Sequence, residues 1–281
     1  MMSAVFPRFS RVFFGAAALC AIGCSSSGGG DLDSVSPHPK PVEQLGTPIA
    51  KANDPTAPLV QYCGTKCPTG ATCQKQCPTL NARGVIVVAV DDYDERGDGS
   101  GAGNIYVQDP VQPTPWSGLT LFRVTVVPTT LSLIPGMGVD VAGVYQPFPG
   151  PTNDFPSGIV LPEVISGSIS QSYEAAPPTP VDITMADIAD PKKGMQYVGR
   201  LVRMPNIAIS STFDAKFHEA AIDGSSSTKG STINIAAQFF NLEDPAGLAA
   251  GSGKKYKSVT GVLNYFYNFK LCPRTLEDIE Q

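Results

Sequence analysis

An all-β protein built around two small Greek-key barrels is what this sequence predicts, and three observations carry that expectation. Glycine and proline are abundant, at 28 and 26 residues, whereas charged residues make up only 16 %. The apolar runs after Arg83 are short, and many alternate with polar residues. Gly, Pro, Asn and Asp punctuate those runs, which is the mixture expected of a turn-rich sheet protein.

The chain opens with a targeting signal, residues 1–23. Arg8 and Arg11 supply a positive start, and the apolar run Val12–Gly23 is too short to span a bilayer as a stable helix. It ends in Ala21-Ile22-Gly23-Cys24, which resembles a bacterial lipobox, although Leu is the usual first residue where Ala21 stands. The alternative is an ordinary secretory signal with an incidental cysteine. Ser25–Gly30 reads SSSGGG, a flexible tether of the kind that separates a lipid anchor from a folded body. That favours lipidation of Cys24, and several acyl chains such as palmitate would hold the protein to a membrane stably. Ser25 rather than Asp after the cysteine points to an outer-membrane lipoprotein. The tether, residues 24–60, is rich in Pro, Ala and polar residues and shows no periodicity, so a disordered or extended linker is expected.

Residues 61–80 carry Cys63, Cys67, Cys73 and Cys77 in the spacing C-x3-C-x5-C-x3-C. Four thiolates could surround zinc, but structural zinc sites favour tighter pairs. An exported chain meets oxidants, so two disulfides of unspecified pairing are the favoured reading. Cys272 lies beside an apolar strand pattern and reads as a buried free thiol. Its competing role as a nucleophile would need His218, the one histidine after the tether.

Residues 81–175 form the first predicted barrel. Its strands are Gly84–Val90, Asn104–Pro110, Ser117–Val127, Gly136–Phe148 and Ser157–Ser170. Five strands separated by Gly or Pro suit a barrel of OB type. The connector, residues 176–196, holds a short helix with Thr184 as its N-cap and Pro191 at its end. Residues 197–281 form a second OB-like barrel, from Tyr197–Ser210, Phe213–Ile222, Ser231–Ala237 and the long stretch Tyr256–Leu271. Aromatics in that last stretch could stack on bases. Their alternation with Ser258, Thr260, Asn264 and Asn268 favours a barrel core.

Several short motifs resemble the OB-fold pair of bacterial extracellular nucleases and related surface proteins. They are Tyr106, Gln108 and Asp109; Gly138, Val141 and Gly143; Gly199, Leu201 and Val202; and the closing Lys270, Leu271, Pro273, Arg274, Thr275, Asp278 and Ile279. The closing motif is the most specific, and the resemblance covers nearly all of the chain after Arg83. Val198 departs from the Glu often found before that glycine. The resemblance implies an accessory module, because the metal-dependent phosphodiesterase domain of those nucleases has no counterpart before Gln281. Fold alone confers no activity.

No nucleophile elbow, phosphate loop or HExxH helix occurs in the sequence, so an enzyme is not expected and no cofactor is called for. The stretch DDYDERGDGSG, Asp91–Gly101, packs five acids and three glycines. Aligned as an EF-hand, it places Arg96 and Gly103 where oxygen ligands belong. A weak metal site from Asp92, Asp94 and Asp98 is one reading, and a solvated hairpin tip is the other. Net charge is −5, and loss of Arg8 and Arg11 with the leader makes it −7. That balance counts against phosphate-backbone partners. Basic residues gather instead in the connector and second barrel: Lys192, Lys193, Arg200, Arg203, Lys254, Lys255 and Lys257. Of these, Arg200, Arg203, Lys254, Lys255 and Lys257 are the candidate ligand-binding set. The expectation is a non-catalytic cell-envelope lipoprotein that serves as a binding or scaffold module, with a protein or polysaccharide partner. The competing reading is an extracellular nucleic-acid-binding accessory of a separate nuclease.

Overall fold

A computed structural model describes residues 49–53, 79–93, 103–110, 114–129, 131, 133–151, 155–156, 159–226, 230–242 and 253–281. Cys24, the cysteines at 63, 67, 73 and 77, and Asp94 and Asp98 lie outside the described residues.

The first half is a closed five-stranded barrel. Its strands are β1 (Thr79–Val90), β2 (Ile105–Gln108), β3 (Gly118–Leu121), β4 (Gly138–Phe148) and β5 (Leu161–Tyr173). They pair in the order β1-β2-β3-β5-β4 and back to β1, with β3 and β5 parallel and the rest antiparallel. Alternation explains the core: Ile105, Val107, Leu119, Leu121 and Val164 point inward, and the residues between them point out. The run Val85–Ala89 has no alternation because both of its faces are covered. Val85 and Val87 face the barrel interior, and after a register shift at Val87/Ala89, Val88 and Ala89 face the second half. The third strand is shorter than the sequence predicts. The chain turns away at Arg123, in the left-handed region at φ 47°, and rejoins β5 through a single bridge from Val126 to Ser168.

A short helix, α1 (Ile49–Asn53), docks on this barrel, although the sequence predicts linker there. Ile49 and Ala52 are fully buried in the barrel core. The Asp109 carboxylate accepts the Ile49 and Ala50 N–H groups, both at 2.9 Å, and so caps the helix from a distant strand. At the other end, Asn53 donates to the Trp116 and Gly118 carbonyls and accepts the Tyr145 hydroxyl at 3.0 Å. Five residues are too few to hold a helix alone, and burial holds this one.

The connector forms β6 (Val181–Asp182), α2 (Met185–Ile188) and α3 (Pro191–Gly194), followed by a 3-10 turn at Met195–Tyr197. The Asp187 carboxylate accepts the Thr184 backbone N–H and hydroxyl, both at 2.7 Å. Pro191 ends α2, as the sequence predicts, and also opens α3, where its missing N–H costs nothing. The second sheet contains β7 (Leu201–Ala208), β8 (Glu219–Ala221), β9 (Ile233–Ala236), β10 (Lys255–Phe266), β11 (Asn268–Cys272) and β12 (Ile279–Glu280). The order is β6-β7-β10-β11-β9-β8, and β12 pairs with β10. Here β11 and β9 are parallel, and one bridge, Ile209 to Ile222, links the ends of β7 and β8. The core contains Val259, Leu263, Tyr265, Phe269 and Leu271, the alternating set expected as core rather than as a stacking platform.

The halves share one compact body. A third cluster joins Val88, Ala89 and Tyr106 to Leu201, Ala236, Phe239, Val262 and Cys272. Gly118 and the left-handed Gly199 (φ 78°) meet backbone to backbone. A Cβ on Gly118 would lie 2.4 Å from the Gly199 carbonyl carbon. The Gln108 side chain accepts the Leu201 N–H at 3.0 Å in the same seam.

Candidate functional site

A cleft of about 410 Å³ opens between the outer face of the barrel and the second sheet. The barrel side is set by strand pairing. Tyr106 on β2 sits opposite Thr120 on β3, Thr120 opposite Glu163 on β5, and Glu163 opposite Gln146 on β4. The result is a row of polar side chains, of which Tyr106, Thr120 and Glu163 line the cleft. Each points outward because its neighbours along the strand face the core.

The second sheet carries a corresponding row. Asn264 on β10 sits opposite Lys270 on β11, and Lys270 opposite Asn234 on β9. Lys270 Nζ lies 3.3 Å from the Glu219 carboxylate, which also accepts the Asn234 side-chain N–H at 3.1 Å.

Between the rows, Gln238 is a hub. Its amide nitrogen donates to Asp91 at 2.8 Å and to the Tyr106 oxygen at 2.7 Å. Its oxygen accepts from Asn264 at 3.0 Å and from the Cys272 thiol at 3.2 Å. Asn264 also donates to the Tyr106 oxygen at 3.0 Å. Burial pushes the Tyr106 phenol and the Cys272 thiol well above their ordinary ranges, so both stay protonated. Cys272 is thus the buried free thiol that the sequence predicts, held in a structural network.

Glu163 and Thr120 differ from these satisfied groups. Glu163 is only 6 % exposed, and no hydrogen-bond or ion-pair partner for its carboxyl lies among the described residues. Desolvation pushes its pKa up to about 8. The Thr120 hydroxyl is buried, at 4 % residue exposure, and is likewise unpartnered among the described residues. Buried polar groups without partners are rare in folded proteins, and they ask for water or a ligand. Aromatic rings stand at the mouth, with Phe122, Phe217 and Phe266 each exposed by 39 % or more.

The sequence-predicted basic set is scattered by comparison. Arg200 is 1 % exposed, stacked 5.6 Å from the Tyr197 ring centre, with Nε and Nη2 unpartnered among the described residues. It is therefore part of the interior, and burial pulls its pKa down to about 10. Arg203 is exposed and bidentate to Asp182 at 2.6 and 2.9 Å. Lys257 pairs with Glu280. Lys255 is exposed, and Lys254 lies 5.9 Å from the Tyr256 ring centre. None of the five lines the cleft. Asp91 is buried and turned to Gln238, whereas Asp92 is exposed, so these adjacent acids part company. Among the described residues no group of three His, Cys, Asp or Glu side chains is placed to hold a metal ion.

The motif residues that carry the nuclease resemblance divide between the seam and the interior of the first barrel, where Val141 and Gly143 lie. Tyr106, Gln108 and Asp109 serve respectively the Gln238 hub, Leu201 and α1. The Arg274 guanidinium makes two bonds to Asp278, at 2.9 and 2.8 Å, and reaches toward the Val88 carbonyl of the first half at 3.5 Å. No protein-family model matches the chain, and no curated protein and no solved structure matches it.

Proposed function

We propose that this chain is a non-catalytic binding module of the bacterial cell envelope, anchored through lipid on Cys24, with the inter-half cleft as its ligand seat. The observation that carries this is the Tyr106-Thr120-Glu163 row, in which the enclosed Thr120 hydroxyl and the largely buried Glu163 carboxyl have no partner among the described residues. The order β1-β2-β3-β5-β4 is that of an OB barrel, in which the β2–β3 face receives ligands. We read the second sheet as a related barrel, because β7, β10, β11, β9 and β8 pair in the same succession and one bridge joins its edges. The two modules then stand in tandem, as in the nuclease accessory pair that the motifs resemble.

The test is a thermal-shift screen with peptides, saccharides and oligonucleotides, run on the wild type and on Thr120→Val. That substitution keeps the shape and removes the hydroxyl. A ligand that stabilises the wild type and loses its effect on Thr120→Val supports the cleft. A ligand effect indifferent to Thr120→Val places the seat elsewhere and overturns the reading.

One observation favours a nucleic-acid accessory instead. Phe122, Phe217 and Phe266 each have a cation near the ring, with Arg123 at 5.3 Å, Lys216 at 4.9 Å and Lys270 at 5.9 Å from the centroids. Rings flanked by cations suit stacked bases on a charged strand. Salt-dependent binding of single-stranded DNA, weakened by Phe266→Ala, would establish it.

A further inference from the structure

We infer that the cleft holds an uncharged oligosaccharide segment, seated on Thr120 and Glu163 and packed against Phe266 and Phe122. This rests on the cleft being the ligand seat, and it names the ligand's chemistry.

The floor sets the first requirement. Thr120 and Glu163 sit side by side across the parallel β3–β5 pair, in residues that are both largely buried. The Thr120 hydroxyl is enclosed without a partner among the described residues, and no described residue bonds the Glu163 carboxyl. A hydroxyl both donates and accepts, and so does a carboxylic acid in its neutral form. A ligand that satisfies both side chains should carry several groups of mixed donor and acceptor character at close spacing. Sugar hydroxyls have that character.

The charge pattern sets the second. Lys270 is tied to Glu219, and Asp91 receives the Gln238 amide. A polyanion would bring phosphates toward the Asp91 carboxylate, which lines the cleft. A cationic ligand meets the opposite obstacle, because Arg123, Lys216 and Lys270 already stand by the rings at the mouth. An uncharged ligand escapes both penalties.

The mouth sets the third. Phe122 and Phe266 expose ring surface next to a polar floor. Sugar rings present apolar C–H faces beside their hydroxyls, and this amphipathic shape matches a wall of that kind. The volume of about 410 Å³ lies in the range of small-ligand sites, roughly 300–1,000 Å³.

The experiment uses the full chain in detergent on an array of neutral hexose and N-acetylhexosamine oligomers, with uronate and sulfated oligomers and oligo-dT alongside. Hits are measured by titration calorimetry. The expected result is binding to a neutral oligosaccharide, weakened about tenfold or more by Phe266→Ala and by Glu163→Ala, and changed only a few-fold by Glu163→Gln, which keeps a donor and an acceptor. Circular dichroism and thermal unfolding establish that each variant is folded, with Glu163→Gln as the conservative companion. Release of reducing ends from a bound oligomer would support the sugar and overturn the non-catalytic reading. Binding confined to oligo-dT or charged oligomers, yet sensitive to Phe266→Ala, would overturn the sugar and keep the cleft. Neutral-sugar binding indifferent to Phe266→Ala and Glu163→Ala would remove both, and an array with no hits overturns the sugar.

Discussion

Glu163 and Lys270 occupy the same place in the two halves. Each lies on the fifth strand of its set, paired in parallel with the third strand and antiparallel with the fourth. Each faces the same cleft. The second half handles its charge with a partner, Glu219, at 3.3 Å. In the first half no described residue partners the carboxyl, which responds by holding its proton, with a pKa pushed up to about 8. A buried charge must be paired or neutralised, and this protein does one in each half. The difference locates unmet hydrogen-bonding capacity on the barrel side, and that is where a ligand should seat.

The most damaging way to break the comparison is to separate the halves. Gly118→Ala puts a methyl group 2.4 to 2.6 Å from three backbone atoms of Val198, Gly199 and Arg200, none of which can yield like a side chain. The expected loss is at least about 3 kcal/mol, beyond ordinary overpacking because backbone must move. Urea denaturation followed by Trp116 fluorescence measures it. Trp116 is the single tryptophan, and its backbone N–H donates to the Gln196 carbonyl across the seam. As a control, Gly224→Ala meets nothing within 4 Å and should cost only about 1 kcal/mol, for its left-handed backbone. Equal effects would mean that the seam is not a rigid contact.

The next effect is one of pH. The folded state raises the Glu163 pKa from 4.5 to about 8, so it binds more protons than the unfolded chain between those values. Stability from this group is therefore fully present below about pH 4.5 and falls as pH rises toward 8. By pH 9 the loss should reach roughly 2–3 kcal/mol, less than the full shift implies because the cleft admits water. Glu163→Gln should match the wild type at pH 5 and exceed it at pH 9. Parallel pH slopes for the two proteins would show that Glu163 ionises freely, and the contrast with Lys270 would vanish.

Much of the fold was legible because strands with one buried face leave a period of two. Most strand positions follow, as does the capped turn at Thr184. Helix α1 was not legible, because IAKAN is too short for a helical period and its cap, Asp109, lies some sixty residues away. Arg200 looked like a surface base because one arginine between Gly199 and Leu201 carries no mark of burial. Its backbone enters the close contact of Gly118 with Gly199, and its side chain is buried beside the Tyr197 ring. The cleft was hidden for a related reason. Tyr106, Thr120 and Glu163 come from three strands and become a row only through pairing. One trace was present: each is a polar or amphipathic residue inside an otherwise apolar strand, in IYV, LTL and LPEV. The charge of a lysine or arginine is visible in a sequence, but the acid that answers it is not. Asp182 and Glu280 pair with Arg203 and Lys257 from other strands.

The smallest effects compare paired charges with one another. Glu219 and Lys270 are only 15 % and 17 % exposed as side chains, and Glu219 also accepts from Asn234. Glu219→Ala leaves a largely desolvated ammonium without its acid, so a loss of about 1–2 kcal/mol is expected. Adding Lys270→Met should recover much of it, since the orphaned charge rather than the lost contact carries the cost. Glu280→Ala removes the partner of Lys257 at a position where both side chains are more than half exposed. Water and salt already solvate that pair, and the change also frees the Ser258 hydroxyl that donates to Glu280 at 3.0 Å, so its urea midpoint should move less than that of Glu219→Ala. If Glu219→Ala were as mild as Glu280→Ala, Lys270 would need no partner. Its likeness to Glu163 would then be one of position only, and the cleft would have two open walls instead of one.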